Sequence, residues 1–470
     1  MKYEDILTAL EEISDKHILE AENTPKKKFF IKAAAAAAVI MIGINILNGP
    51  ALIMANVVAE AAEPRIVESP DVKDYDDIHE WSDAFDVWQA EMDAKSEMVI
   101  EAMSGLQTFF REGNSHFLQT EGNENRIWSP VNAYIGLAMM TEITGQETQQ
   151  QVLDVLSVKD TDELRKKVSA VWESVYHDNS KEISVLSNSL WLEKGVQYNQ
   201  EAMDALAYHY YASVYQTDLG SNQANRDISA WINNNTGKFL EDSAKNITLE
   251  PDTILALYST LYFQSKWVDE FNNYTSEHTF YMPEGETQAV YMSEELGHMN
   301  YYWGDNFSAV NKSLKNGSRM WFILPDEGMT IDDVLNNGTY MEMLLSNEWE
   351  DYKSMKVNLM VPMFDISSTM DLSDGLKNMG MTDVFNQELG VYTKLTSDTP
   401  IWFTGVNQSV RVEIDTEGVK AASYIEIAGA GSAAPPDEII DLVLNRPFIF
   451  VITKDNVPLF AGCVNDPTAN

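Results

Sequence analysis

The 470-residue chain predicts an α+β domain built on a large mixed central β-sheet, with smaller sheets and shorter appendages in front of it. Three observations carry that expectation. A hydrophobic content of 44% is ample for the core of one large domain. Apolar spacings of three and four predict helices over residues 98–110, 131–143, 147–156 and 161–175. Beyond them, runs of strand length follow at 183–192, 254–263, 320–324, 356–361, 402–414 and 448–452.

Taken from its start, the chain opens with Leu7, Leu10 and Ile13 at helical spacing, a short amphipathic helix that ends before Pro25. Lys26-Lys-Lys28 and Lys32 then border the most apolar stretch. Residues 29–47 number nineteen, about enough to cross a bilayer if Lys32 snorkels. The lysines place the N-terminus in the cytoplasm, so a single uncleaved span puts the remainder outside. A cleaved secretory signal is the competing reading, with Val58-Ala-Glu-Ala-Ala62 offering small residues for cleavage. Either exports the domain.

From Glu63 to Asp93 eleven acids face only Arg65 and Lys73, which suits a solvated tether. Within it, Ile78, Trp81, Phe85 and Trp88 recur at helical intervals and could dock a helix. The expected layout is a cytoplasmic segment at 1–28, an anchor or signal-like helix at 29–60, an acidic tether at 61–96 and the folded domain at 97–470.

Composition removes several classes of function. A net charge of −41, from 32 basic and 73 acidic residues, argues against nucleic acid or an anionic membrane surface as partner. Cys463 is the single cysteine, so neither an intramolecular disulfide nor a thiolate metal cluster can form. Its apolar strand favours a buried, inert thiol. The seven histidines are scattered singly, and there is no Gly-x-Ser-x-Gly elbow, no His-Glu-x-x-His helix and no phosphate loop. No enzyme, metal or cofactor is expected.

The stretch from Asp415 to Pro447 stands out instead. Val410, Val412 and Ile414 alternate with Arg411, Glu413 and Asp415 as a half-buried strand does, and Gly418 breaks the run. Alternation resumes with Val419, Ala421, Ser423, Ile425 and Ile427 on one face, while Lys420, Ala422, Tyr424 and Glu426 fall on the other. It then dissolves into residues 429–436, which lack bulky side chains and end in Pro435-Pro436. Such a segment should be exposed and cleavable.

This segment resembles the hinge and reactive-centre loop of a serpin, followed by that family's C-terminal strands at 446–452 and 459–464. Further landmarks occur in family order: Ile127-Trp-Ser-Pro-Val-Asn132, Trp231 with Thr236-Gly-Lys238, Leu261-Tyr-Phe-Gln-Ser-Lys-Trp267 with Phe271, Phe322-Ile-Leu-Pro325, Val361-Pro-Met-Phe364, and Met379-Gly-Met381 with Phe385. The resemblance covers roughly residues 97–470. It implies eight to nine helices and a bacterial, membrane-anchored or secreted serine proteinase inhibitor, a monomer that acts by being cut.

By the same resemblance Thr416, Glu417, Gly418, Val419, Ala421, Ala422 and Ser423 form the hinge. Ser129, Asn132, Ser259, Trp267 and Gln408 belong to the zone where the sheet opens. Here the chain departs from the family habit, which more often has asparagine in place of Ser259 and histidine in place of Gln408. The reactive bond falls at Ser432-Ala433, about fourteen positions after the hinge glycine and again by counting back from the proline pair. Residues 429–434 carry no cation and no aromatic, so the expected partners are serine proteinases with shallow primary pockets, elastase-like or subtilisin-like. The alternative is a non-inhibitory member whose loop is merely cleaved.

Overall fold

The computed structural model describes residues 52–62, 70, 72–75, 77–178, 182–272, 274–345, 349–419 and 439–469. The sequence expectations for residues 1–51, and those for Ala421, Ala422, Ser423, Ser432 and Ala433, lie outside the described residues.

Two mixed sheets share one core. The first runs in the order Asn56–Ala59, Ala212–Thr217, Ile183–Glu193, Leu255–Lys266, Gly418–Val419, Asn407–Ile414 and Phe364–Asp371, with His177–Asp178 paired to Ile183–Glu193. Among the described residues, only Ile183–Glu193 and Ala212–Thr217 pair in parallel there. In the second sheet the order is Ile439–Val443, Tyr352–Pro362, Glu286–Trp303, Phe307–Ser313, Arg319–Pro325, Phe448–Lys454, Val457–Val464 and Arg126–Trp128, and Ser276–Tyr281 pairs off Glu286–Trp303.

The strand faces follow the side-chain period of two. Val410, Val412 and Ile414 are all buried, whereas Arg411 and Glu413 between them are half-buried. By contrast, every residue of Val457–Val464 is buried, as its unbroken apolar run requires of a strand covered on both faces. The sheets meet through Phe263 against Phe460 and Phe364 against Phe450, with ring centroids 6.0 and 5.3 Å apart.

Into this junction runs the helix Pro130–Ile143, which has buried residues all round its circumference. Ser129 is its N-cap and Pro130 its first helical residue, where a missing N–H is harmless. The helix therefore delivers Ser129 and Asn132 to the underside of the first sheet.

The N-terminal boundary differs from the expected layout. Asn56–Ala59, placed by sequence within an apolar span at 29–60, is a strand on the outer edge of the first sheet, antiparallel to Ala212–Thr217. The amide of Ala62 donates to the Ala207 carbonyl at 2.9 Å. Ile53 and Ala55 pack on the cluster of Trp191, Tyr215, Leu219 and Trp231. An unpaired sheet edge and an exposed aromatic cluster attract a short β-branched segment as well as a bilayer does, which is why apolarity alone misassigned it.

Among the described residues no helix is long and apolar enough to cross a membrane. The stretch expected as tether is in large part helical. Ile78–Phe117 is one helix of 40 residues, capped by Asp77, whose side chain accepts from the amide of His79 at 2.9 Å.

Candidate functional site

Near the middle of the first sheet, two neighbouring strands are held apart. Leu255–Lys266 pairs with Ile183–Glu193 on one side, and Asn407–Ile414 pairs with Phe364–Asp371 on the other. Among the described residues no ladder joins Leu255–Lys266 to Asn407–Ile414 directly; only Gly418–Val419 lies between them. Both flanking strands run antiparallel to that pair of residues, so they are parallel to each other.

Below Gly418–Val419 the gap continues as two small cavities of about 20 Å³ each. The first is lined by Leu261, Phe263, Val412, Val419 and Phe460, and the second reaches Ser129 and Asn132. Among the described residues, no strand pairs with the facing backbone edges of these two strands below Val419.

The upper end of the gap is closed tightly. Asp415 folds the chain back, its Oδ1 accepting from the amides of Glu417 at 2.8 Å and Gly418 at 3.0 Å. The Trp267 indole donates to the Asp415 carbonyl at 2.9 Å, and its backbone amide donates to the Glu417 carbonyl at 3.1 Å. The ring itself is fully buried, edge-on to Phe271. Lys266 Nζ pairs with Glu417 at 3.1 Å. Gly418 is required by proximity, since a Cβ there would lie 2.5 Å from the Ser265 carbonyl oxygen. Behind it, Ser265 donates to Glu182, whose carboxyl is raised above the usual glutamate value chiefly by burial.

The lower end is bridged by the start of the buried helix. Ser129 exchanges two hydrogen bonds with the Gln408 side chain, accepting at its carbonyl (3.0 Å) and donating from its amide (2.8 Å). Its hydroxyl donates to the Leu459 carbonyl at 2.6 Å. Asn132 donates to the Ser259 carbonyl at 3.1 Å, and the Ser259 hydroxyl faces both Asn132 Oδ1 and Asn188 Oδ1, the latter at 2.6 Å. One hydroxyl proton can serve only one of those acceptors at a time. Asn188 donates in turn to the Tyr210 carbonyl at 2.7 Å. One helix end thus holds both banks of the gap.

A family model described as "Serpin (serine protease inhibitor)" matches residues 108–467, most of the chain. The chain belongs to the serpin family. Among its relatives, horse alpha-1-antiproteinase 2 is 25% identical over 366 residues, covering 75% of this chain and 84% of its own. Human Serpin B3 is 24% identical over 372 residues, covering 74% and 95%. The thermophilic serpin tengpin in its native state superposes with a TM-score of 0.68 at 20% identity, over 87% of this serpin and all of tengpin. Thyroxine-binding globulin in complex with thyroxine gives 0.65 at 20% identity, over 79% and 100%. At such identity the two structures speak for the fold.

Of the five residues expected in the sheet-opening zone, Ser129 pairs with Gln408 and Asn132 with Ser259, two sets joined by the start of one helix, while Trp267 lies at the opposite end of the gap beside Gly418. Thr416, Glu417, Gly418 and Val419 form the turn and the seated pair, with Val419 only 3% exposed. Asn188, Asp415 and Glu182 are participants that sequence reasoning missed. Asp415 had a usable signal in its place two residues before Glu417, the spacing of an Asx turn. Asn188 and Glu182 had none. The lone thiol of Cys463 is buried, and burial pushes its pKa far up, as an inert core position demands.

Proposed function

We propose that this serpin inhibits serine proteinases as a suicide substrate, its loop being cut at Ser432-Ala433 and inserted as the missing strand of the first sheet. The observation that carries this reading is the gap itself, with Gly418–Val419 already hydrogen-bonded at its top. The acyl-enzyme forms as on any substrate. Insertion then supplies strand hydrogen bonds along both facing edges before water releases the enzyme. The inward set Val419, Ala421, Ser423, Ile425 and Ile427 carries no charge, which supports passage into a buried slot.

The small residues 429–434 support elastase-like or subtilisin-like targets with shallow primary pockets. Mixing the protein with such an enzyme should give a covalent complex that survives boiling in detergent. Cleavage with no complex favours the substrate-like, non-inhibitory alternative. The peptide released from the complex by base should begin at Ala433, and any other N-terminus moves the bond.

We further infer that the domain is displayed outside a bacterial cell on a single span at residues 29–47. The sheet supports the anchor over a cleaved signal: cutting within 58–62 would strip Asn56–Ala59 from the edge it completes. Protease treatment of intact cells should shed the domain; a mature protein beginning between Ala59 and Glu63 replaces the anchor with a signal peptide.

A further inference from the structure

A strap crosses the outer face of the gap, and one arginine ties it to the far bank. Along Leu255–Lys266 the side chains alternate: Leu261 and Phe263 enter the main core, whereas Ala256 and Tyr258 pack under the helix Asn222–Asn235, with Ile228, Trp231 and Ile232. That helix is capped by Thr236, and residues 237–240 run on from it to the short helix Glu241–Lys245. Thr236, Phe239 and Leu240 line the second cavity together with Tyr262 on one bank and Ser409, Val410 and Arg411 on the other. The strap is therefore the roof of the gap.

Both banks hold it. On one, Gly237 comes so close to Tyr262 that a Cβ there would lie 3.0 Å from the ring. On the other, the Arg411 guanidinium lies over the Phe239 ring, 4.5 Å from its centroid, and Nη1 donates to the Phe239 carbonyl at 3.4 Å. Asp365, on the neighbouring strand, fixes the plane of that guanidinium by accepting from Nε at 2.7 Å and from Nη2 at 2.6 Å. One planar cation thus uses an edge for the carboxylate, a corner for the backbone and a face for the ring, which an ammonium cannot do. Between the two ties the backbone is left-handed at consecutive residues, Gly237 (φ 55°) and Lys238 (φ 66°). Lys238 carries a side chain and holds that conformation only because its surroundings impose it.

A strand lying in the gap sets the banks about 9–10 Å apart, twice the ordinary strand spacing. The strap touches the two banks through residues only two apart, so it must let one of them go. On the Tyr262 side it is the continuation of a helix seated on its own apolar cluster. On the other side it is tied through a half-buried side chain. We propose that Arg411 is the latch of this strap: its grip on Phe239 keeps the gap roofed, and its release admits a strand. The inference rests on reading the gap as a strand slot. Arg411 is then a positioning residue that sets the pace of insertion through Phe239 without touching the proteinase.

Uptake of a fluorescent synthetic peptide with the sequence of residues 419–432 tests the latch on the full-length, uncut protein. Arg411→Met keeps the length of the stem and removes the guanidinium; it should take up the peptide about tenfold faster than the parent, the share of one desolvated cation–π contact. Hydrogen exchange at the amides of Phe239 and Glu241, which donate to the carbonyls of Thr236 and Lys238, should quicken with it. Phe239→Leu keeps an apolar side chain without the ring and should match Arg411→Met, and the double variant should be no faster than either single one. Arg411→Lys should fall between variant and parent. An arginine that merely stabilised the sheet would give additive gains in the double variant, and that result overturns the latch. Equal uptake by all the proteins overturns it too. A peptide that enters none of them overturns the slot itself, and with it the proposed function.

Discussion

Replacing Val419 with Arg tests the insertion mechanism at its first step. The Val419 side chain is 3% exposed and shares a cavity with Leu261, Phe263, Val412 and Phe460. Removing it from that environment forfeits about 2 kcal/mol of apolar burial. Seating a guanidinium there without a partner adds about 3 kcal/mol or more. Arg411 and Glu413 border the same cavity, but Glu413 alternates to the opposite face from Val412, and Asp365 already holds Arg411 in a bidentate pair at 2.6 and 2.7 Å.

A total of about 5 kcal/mol against the inserted state corresponds to three to four orders of magnitude in the partition between trapping and release. The uncut protein loses far less, because its two-residue hinge can swing out into water. Association should therefore be unchanged, the covalent complex with an elastase-like proteinase should fall below detection on a denaturing gel, and turnover of the loop should take its place. Val419→Thr, nearly isosteric and uncharged, should retain most of the complex. An undiminished covalent yield from Val419→Arg would refute the reasoning.

Other perturbations follow from the same geometry. Gly418→Ala forces a methyl to within 2.5 Å of backbone, an overpacking of about 1–3 kcal/mol, and hydrogen exchange at Val419 should accelerate. Gln408→Ala leaves the amide of buried Ser129 unpaired, at about 1–3 kcal/mol, while its carbonyl keeps the Ala133 amide at 3.0 Å, and the melting temperature should fall by several degrees in a thermal scan. The folded-state pKa of Glu182 is raised, so its contribution to stability is full below about pH 4.5, the unfolded value, and is lost as pH climbs through the raised value. Glu182→Gln should thus gain on the parent in melting temperature between pH 4.5 and 7, and a constant difference across that range would contradict the assignment. Trypsin should cut or ignore the loop but form no stable complex, as gel analysis can show.

The parts of this fold legible in sequence are those where one physical signal dominates. Val410, Val412 and Ile414 announce their strand because one face is buried and the other is not. The early helices announce themselves by spacing. The network beneath the gap was legible only through resemblance: Ser129 and Gln408 lie 279 residues apart, and no local pattern couples them. Asn188 is a polar residue inside an apolar strand, and only the Ser259 hydroxyl opposite it gives it meaning. The strand Asn56–Ala59 was misread because an apolar run looks alike whether lipid or a sheet edge receives it. The ridge of Trp81, Phe85 and Trp88 was visible as helical spacing, and one helix does carry it.

The two seated hinge residues also remove a search problem. A strand entering an empty slot must find its register, and a slip of one residue turns every side chain to the wrong face. Here Val419 already pairs with Ser265 on one bank and Ile414 on the other, so the count is set before any bond is cut. Continued in that register, Ala421 arrives between Phe263 and Val412, and Ser423 between Leu261 and Val410. Ile425, the first bulky side chain after Val419 on that face, then reaches Ser259 and Gln408. On the proposed mechanism the closing of the sheet is thereby ordered: small residues enter first, and the first large one arrives where the helix start ties the banks together.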